Sequence, residues 1–133
     1  MHQPTPDIIV SSESQFISQQ SEPKLGRFVF SYTITIENRS NLPYQLMSRH
    51  WIIQDGNMKI EEVYGDGVIG EQPIIPAGKS YSYTSGAVLE TDMGTMEGRY
   101  FFSDLNMDKG NGSSHRVEIT IPKFLLSIPR TVH

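Results

Sequence analysis

The sequence predicts an all-β protein, an antiparallel β-sandwich of immunoglobulin or fibronectin type III-like type with about seven strands. Three observations carry this prediction. Apolar and polar side chains alternate at a period of two over most of the chain. Groups of Gly, Pro, Asn and Asp separate the alternating runs at sandwich-like spacings. No long run holds helical periodicity. A small closed barrel is the alternative architecture.

The first two predicted strands cover residues 8–18 and 28–37. The first is long, and its serine-rich stretch at 11–14 indicates a bulge. In the second, an apolar face alternates with a polar one, and the apolar face consists of Phe28, Phe30, Tyr32, Ile34 and Ile36. Residues 38–43 then supply turn chemistry.

The next two strands form a hairpin. The chain alternates from residue 44 to 54, turns at 55–57, and returns from 58 to 64. The alternation puts Met47, Trp51 and Ile53 on one face together with Arg49. A tryptophan in a central strand, without a cysteine pair, favours the fibronectin-like variant.

The last three strands are predicted at residues 79–85, 94–102 and 115–121, with a hairpin tip at 108–112 between the final two. The chain has the length of one domain, so residues 1–133 form a single unit. Its first residues, 1–6, are expected to be flexible.

A glycine hexapeptide at residues 65–70 (GDGVIG) has the G-x-G-x-x-G spacing of a dinucleotide phosphate loop. That loop works because a helix begins at the third glycine and its N–H groups hold the pyrophosphate. Here Pro73 and Pro76 follow, and proline prevents a helix. The hexapeptide is therefore predicted to be an inter-strand loop. Phosphate binding by the backbone of Gly65, Gly67 and Gly70 is kept as an alternative.

Charge and composition exclude several functional classes. The formal net charge is −4, and the Lys and Arg residues are scattered singly, which argues against a nucleic-acid ligand. The chain has no cysteine, no signal-peptide pattern and no apolar stretch of membrane-spanning length. We therefore expect a cytoplasmic protein with no membrane association and no cofactor.

No catalytic or metal-binding set is predicted. The histidines stand far from one another, without metal-ligand spacing, at His2, His50, His115 and His133. The candidate nucleophile is Ser85 with His50 as its base, but the sequence lacks the glycine spacing and the helix of a nucleophile elbow. An enzyme acting through His50 and nearby carboxylates is the least supported hypothesis, and we expect that the protein is not an enzyme.

A surface for recognition remains. The glycine hexapeptide, the proline segment and two tyrosines bring rigid turns and aromatic side chains together. The candidate partner-binding residues are Arg49, Trp51, Glu71, Tyr81 and Tyr83. The expected ligand is another protein, and an exposed edge strand also permits a homodimer through a sheet edge.

Several motifs follow one another along the chain: SRHWIIQD at 48–55, GDGVIGEQP at 65–73, PAG at 76–78, YTSG at 83–86, GTMEGRY at 94–100 and IPKF at 121–124. With these motifs the chain resembles the ApaG family from about Asp7 to its end. Ile69 and Asp92 depart mildly from the family pattern, where valine and proline are usual.

This resemblance implies a fibronectin type III-like sandwich. Bacterial ApaG-type proteins are small stand-alone domains, often encoded beside a diadenosine tetraphosphate hydrolase. Similar domains in F-box proteins and in a DNA polymerase delta-interacting protein imply protein recognition. The family is also linked to cobalt resistance and magnesium efflux, which implies a role in divalent cation homeostasis. No enzymatic activity is established for it.

Overall fold

The structure, a computed structural model, describes residues 5–105 and 116–129. Within these ranges the only helical segments are two short 3-10 turns, Ser18–Gln20 and Pro23–Leu25. Everything else that is regular is strand: β1 Ile8–Phe16, β2 Phe28–Asn38, β3 Tyr44–Asp55, β4 Ile60–Asp66, β5 Ile74–Ile75, β6 Ser80–Leu89, β7 Met93–Asp104 and β8 Arg116–Ser127. The predicted all-β antiparallel sandwich is confirmed, with eight strands.

Two sheets make the sandwich, and every strand pairing is antiparallel. The smaller sheet has the order β1-β2-β6, and the larger has the order β4-β3-β7-β8, with β5 pairing to the start of β3. The pairing of β2 with β6 runs without a shift from Phe28–Leu89 to Glu37–Ser80. The side chains that point inward from the strands of both sheets pack together between the sheets.

The core is a layer of aromatic and aliphatic side chains between the sheets. Trp51 of β3 is 2% exposed and packs edge-on against Tyr32, Tyr100 and Phe124, which come from three other strands. Such edge-to-face pairs are a favoured aromatic geometry. The predicted alternation of β2 therefore buries its apolar side in this layer.

A buried asparagine closes one end of the core. Asn38 is 0% exposed, and its Nδ2 donates to the carbonyls of Leu42 and Ile75 at 2.8 and 2.9 Å. Its Oδ1 accepts from the N–H of Ser40 at 3.0 Å. The side chain thus joins the turn after β2 to β5 by hydrogen bonds to their backbone groups.

The predicted bulge in the first strand and the predicted face of Met47 are both wrong. The register of β1 with β2 is unbroken from Ile8–Asn38 to Phe16–Phe30, so the predicted bulge at 11–14 is absent. The chain instead leaves the sheet after Phe16 and enters the first 3-10 turn. A bulge lies in β3, between Leu46 and Ser48, and it shifts Met47 away from the face that Arg49 and Trp51 share.

The last strand is longer than predicted, because β8 passes through Pro122 and ends at Ser127. Its register with β7 shifts between Ile121–Gly98 and Phe124–Met96, so a bulge absorbs the proline. Proline is tolerated there since β8 is an edge strand. The predicted tip at 108–112 and the predicted start at His115 lie outside the described residues, as do residues 1–4.

The two lateral edges of the sandwich differ. At the closed edge, formed by β1 and β8, the sheets meet, and the Ser14 hydroxyl donates to the Leu125 carbonyl at 2.9 Å. At the open edge, formed by β4 and β6, the sheets separate around a cleft. The candidate site lies there.

Candidate functional site

The cleft at the open edge is a cavity of about 410 Å³. One wall comes from β6 (Tyr83–Gly86) and the other from β3 and β4, while Val68–Gly70 closes one end. Apolar side chains dominate the larger-sheet wall, and hydroxyls dominate the β6 wall. This volume lies within the range of small-ligand pockets. Its lining residues are Tyr32, Arg49, Trp51, Ile53, Val63, Val68, Ile69, Gly70, Tyr83, Thr84, Ser85, Gly86 and Met96.

A tight turn follows the strand that carries the first glycine of the hexapeptide. Val68 and Glu71 exchange two backbone hydrogen bonds of 2.8 and 3.0 Å around Ile69 and Gly70. Both central residues have positive φ, +48° at Ile69 and +74° at Gly70. Such a pair of angles suits glycine, whereas a β-branched residue with positive φ is a conformational outlier. Ile69 is therefore held in a strained conformation at the cleft mouth.

The glycines have structural roles that differ from a phosphate loop. Gly65 lies in β4, opposite Arg49. Gly67 has φ +60°, and a Cβ there would lie 2.0 Å from the Glu71 carbonyl oxygen. Its N–H donates to the Met47 carbonyl at 2.8 Å. No helix begins at Gly70 within the described chain, which continues to β5.

Arg49 reaches into the cleft from β3, and Gly65 makes room for it. A Cβ at Gly65 would lie within 2.7–2.9 Å of the guanidinium atoms, so the group lies directly over this residue. Nη1 donates to the carbonyls of Asp66 and Gly67 at 3.1 and 2.8 Å. No carboxylate within the described ranges forms an ion pair with Arg49. The cleft thus holds a half-buried cation whose partners are backbone carbonyls.

Three buried tyrosines stand beside this cation. The hydroxyls of Tyr83 and Tyr100 hydrogen-bond across the two sheets, and Tyr32 lines the cleft next to its strand partner Ser85. Burial raises the pKa of Tyr83, Tyr100 and Tyr32 above the ordinary tyrosine value. All three therefore stay neutral at physiological pH.

The predicted partner-binding residues gather at this edge. Arg49, Trp51 and Tyr83 line the cleft, with Trp51 as its buried floor. Tyr81 and Glu71 lie next to it, and the Tyr81 hydroxyl donates to Glu71 Oε2 at 3.2 Å, joining β6 to the tight turn. Sequence reasoning missed Val63, Tyr32 and Ser85 as lining residues, because their meeting depends on the order of strands in each sheet.

His50 lies on the other face of β3, away from the cleft, since its position alternates with Arg49 and Trp51. Its Nε2 is 2.9 Å from Glu62 Oε1, and its ring stacks on Tyr64 with centroids 4.0 Å apart. The Ser85 hydroxyl faces the cleft, so the two residues do not meet. His2, His115 and His133 lie outside the described residues.

Residues 5–105 and 116–129 contain neither a metal-ligand cluster nor a helix that could span a membrane. No three His, Asp or Glu side chains in these ranges converge as a metal site requires. Neither 3-10 turn has the length and apolarity that crossing a bilayer demands.

The fold and the site define a class: an antiparallel β-sandwich with an inter-sheet cleft at one edge, closed by a glycine turn. The chain belongs to the ApaG domain family, whose model matches residues 18–104. It is 47% identical to Protein ApaG of Aromatoleum aromaticum, over 95% of this chain and 94% of that protein. Protein ApaG of Klebsiella pneumoniae is 45% identical, over 97% and 98%.

A solved structure shares the fold. The crystal structure described as an ApaA protein from Bordetella pertussis superposes with a TM-score of 0.86 at 40% identity. The match covers 96% of this chain and 98% of that one. The resemblance drawn from the sequence motifs is thus confirmed.

Proposed function

We propose that this protein is a non-catalytic protein-binding module whose open-edge cleft accepts an acidic segment of a partner. One observation carries the proposal: the half-buried Arg49 in a cleft of ligand size, without an ion-pair partner among the described residues. Arginine binds carboxylates through a planar fork of donors and is enriched at interfaces.

The surroundings of Arg49 favour an anion that enters the cleft. Nη1 is occupied by the carbonyls of Asp66 and Gly67, which hold the plane of the guanidinium. Nη2 and Nε have no hydrogen-bond partner among the described residues and can donate to a ligand. In a partly buried cleft, attraction to a carboxylate is screened less than at the surface. Apolar contacts with Val63 and Ile69 would add affinity around this polar centre.

A binding role also agrees with the chemistry of the cleft. Its buried tyrosines have a raised pKa and cannot serve as bases near neutral pH. Ser85 faces the cleft while His50 lies on the opposite face of β3, so this serine lacks that base.

Panning a random peptide library on the purified protein tests the proposal. We expect the selected peptides to be enriched in Asp and Glu, and their affinity to fall about tenfold or more with Arg49→Gln. Arg99→Gln is the matched control, since Arg99 pairs with Glu118 on the outer face of the larger sheet. Peptides without acidic enrichment, or equal binding to Arg49→Gln, would overturn the proposal.

The rival function is a pyrophosphate or dinucleotide polyphosphate sensor at Gly65, Gly67 and Gly70. The position of Arg49 beside this turn favours it, because guanidinium also pairs with phosphate. Titration with diadenosine tetraphosphate separates the two functions. Shifts of these glycine amides at micromolar ligand would support the sensor, and no shift up to millimolar ligand would remove it.

A further inference from the structure

The sandwich has an unfilled strand position at its open edge. At the closed edge β1 faces β8, and further in, β6 meets β7 through the hydroxyls of Tyr83 and Tyr100. Within residues 5–105 and 116–129, the larger sheet extends beyond this point to β4, whereas the smaller sheet stops at β6. The inward residue Val63 of β4 is consequently only half-buried and lines the cleft. A strand added beside β6 would lie over it.

The free side of β6 lacks the usual protection of an edge. Its sequence, SYSYTSGAVL, has no charged residue and no proline, and its register with β2 has no bulge. In natural proteins a charged residue, a proline or a bulge commonly prevents an edge strand from pairing with another chain. An edge strand without them is suited to pairing with another chain.

The backbone groups that face the free side can be identified. The N–H of Asn38 donates to the carbonyl of Lys79, which sets the hydrogen-bonding phase of the β2–β6 ladder. Residues of an antiparallel strand alternate in the side to which their N–H and C=O point. The groups of Ser82, Thr84 and Gly86 therefore point away from β2, toward the open edge.

We infer that the partner binds by strand addition, as an extended segment that pairs with the free side of β6 and directs a carboxylate side chain to Arg49. This inference rests on the proposed function and specifies the conformation of the segment. An added strand alternates its side chains between two faces. One set would enter the cleft toward Arg49, Val63 and Ile69.

The other set would extend the outer face of the smaller sheet, which is rich in hydroxyls. Thr33 and Thr84 hydrogen-bond there through their side chains at 2.7 Å, and Thr35 bonds to Ser82 at 2.9 Å. The segment is thus expected to alternate small polar residues with apolar residues and one central Asp or Glu.

Synthetic peptides with this pattern test the inference, with KTVTETVTK as the parent. Two N-methylated versions are compared, one methylated at the threonines and one at the valines and glutamate. Only one of these sets of N–H groups can face β6 in a given strand orientation. We therefore expect one version to lose about tenfold or more in affinity while the other binds like the parent.

Protein variants give an independent measurement. Thr84→Pro removes an N–H from the free side and leaves the ladder to β2 intact, so it should weaken binding of the parent peptide about tenfold. Thr84→Val removes the hydroxyl and keeps the N–H, so it should cost clearly less affinity than Thr84→Pro, and equal losses in the two variants would contradict strand addition. If Thr84→Pro does not fold, the methylated peptides still decide.

Equal binding or equal loss with both methylated peptides would overturn strand addition, as would failure of the parent peptide to bind. The proposed recognition of an acidic segment would still stand after those outcomes if the binding of the panned peptides depends on Arg49. A second copy of this chain on β6 is the other outcome of the test. Sedimentation would reveal it as a dimer that the parent peptide dissociates, and that result would also overturn the acidic segment as the occupant.

Discussion

The two lateral edges of the sandwich have opposite characters. At the closed edge the sheets meet, β1 and β8 are joined by the Ser14–Leu125 hydrogen bond, and Val10 is buried. At the open edge the sheets separate, β4 is largely exposed, and the side chain of Arg49 enters the cleft between the sheets. The comparison indicates that the closed edge mainly stabilises the fold, whereas the open edge leaves a cleft between the sheets.

The largest expected effect is the loss of stability at high pH, which tests whether water reaches the buried tyrosines through the open edge. Tyr83 and Tyr100 have raised pKa values because they are buried, whereas unfolded tyrosines ionise near pH 10. The native state therefore holds more protons above that pH, and the free energy of unfolding should fall by about 1.4 kcal/mol per pH unit for each. Below about pH 9 it should not depend on these groups.

Absorbance at 295 nm and circular dichroism, followed together from pH 8 to 12, measure this effect. We expect the buried tyrosines to ionise only as structure is lost. Ionisation of all tyrosines near pH 10 in the native state would mean that water reaches the tyrosine pair through the cleft, and the buried character of this region would be wrong.

A smaller effect on the free energy of unfolding is expected from two valine substitutions, one at each edge. Val10→Ala at the closed edge removes buried methyl groups and should lower the free energy of unfolding by about 2 kcal/mol. Val63→Ala at the open edge should lower it by about 1 kcal/mol or less, because this side chain is only half-buried. Urea denaturation measures both. Equal losses would contradict the division between the edges.

The smallest effect has the opposite sign. Ile69→Gly relieves a β-branched residue at φ +48° and should raise the free energy of unfolding by about 0.5 kcal/mol. The side chain is 58% exposed, so little burial is lost. Gly70→Ala is the control at φ +74° and should lower stability by about 1 kcal/mol. A loss of stability in Ile69→Gly would mean that its contacts outweigh the strain.

Local patterns predicted the strands well, and failed where a bulge or a short element interrupted them. The alternation of β2 gave its bounds to within a residue. The prediction of β8 stopped at Pro122, because a proline in a strand is acceptable only at an edge, and edge position depends on sheet order. Strand β5 has only two residues between prolines and carries no periodicity.

The site was predictable only where the alternation along a single strand determines which residues share a face. Arg49 was correctly assigned to the face of Trp51, while Met47 was not, since a bulge separates them. The glycine hexapeptide was recognised as an inter-strand segment, but Gly65 proved to be a strand residue beneath the Arg49 guanidinium. The cleft itself arises from the pairing of β2 with β6, strands distant in sequence, which no local pattern encodes.

The bond from Arg49 to two main-chain carbonyls has a consequence for selectivity. Because Nη1 is bonded to two carbonyls, the orientation of the guanidinium plane is fixed. A ligand oxygen can therefore accept a well-aligned hydrogen bond only from a narrow range of directions. A lysine there would offer equal charge but accept approach from many angles. A ligand of the proposed kind would thereby be selected by the direction of its approach as well as by its charge, and this selection would rest on the missing side chain at position 65.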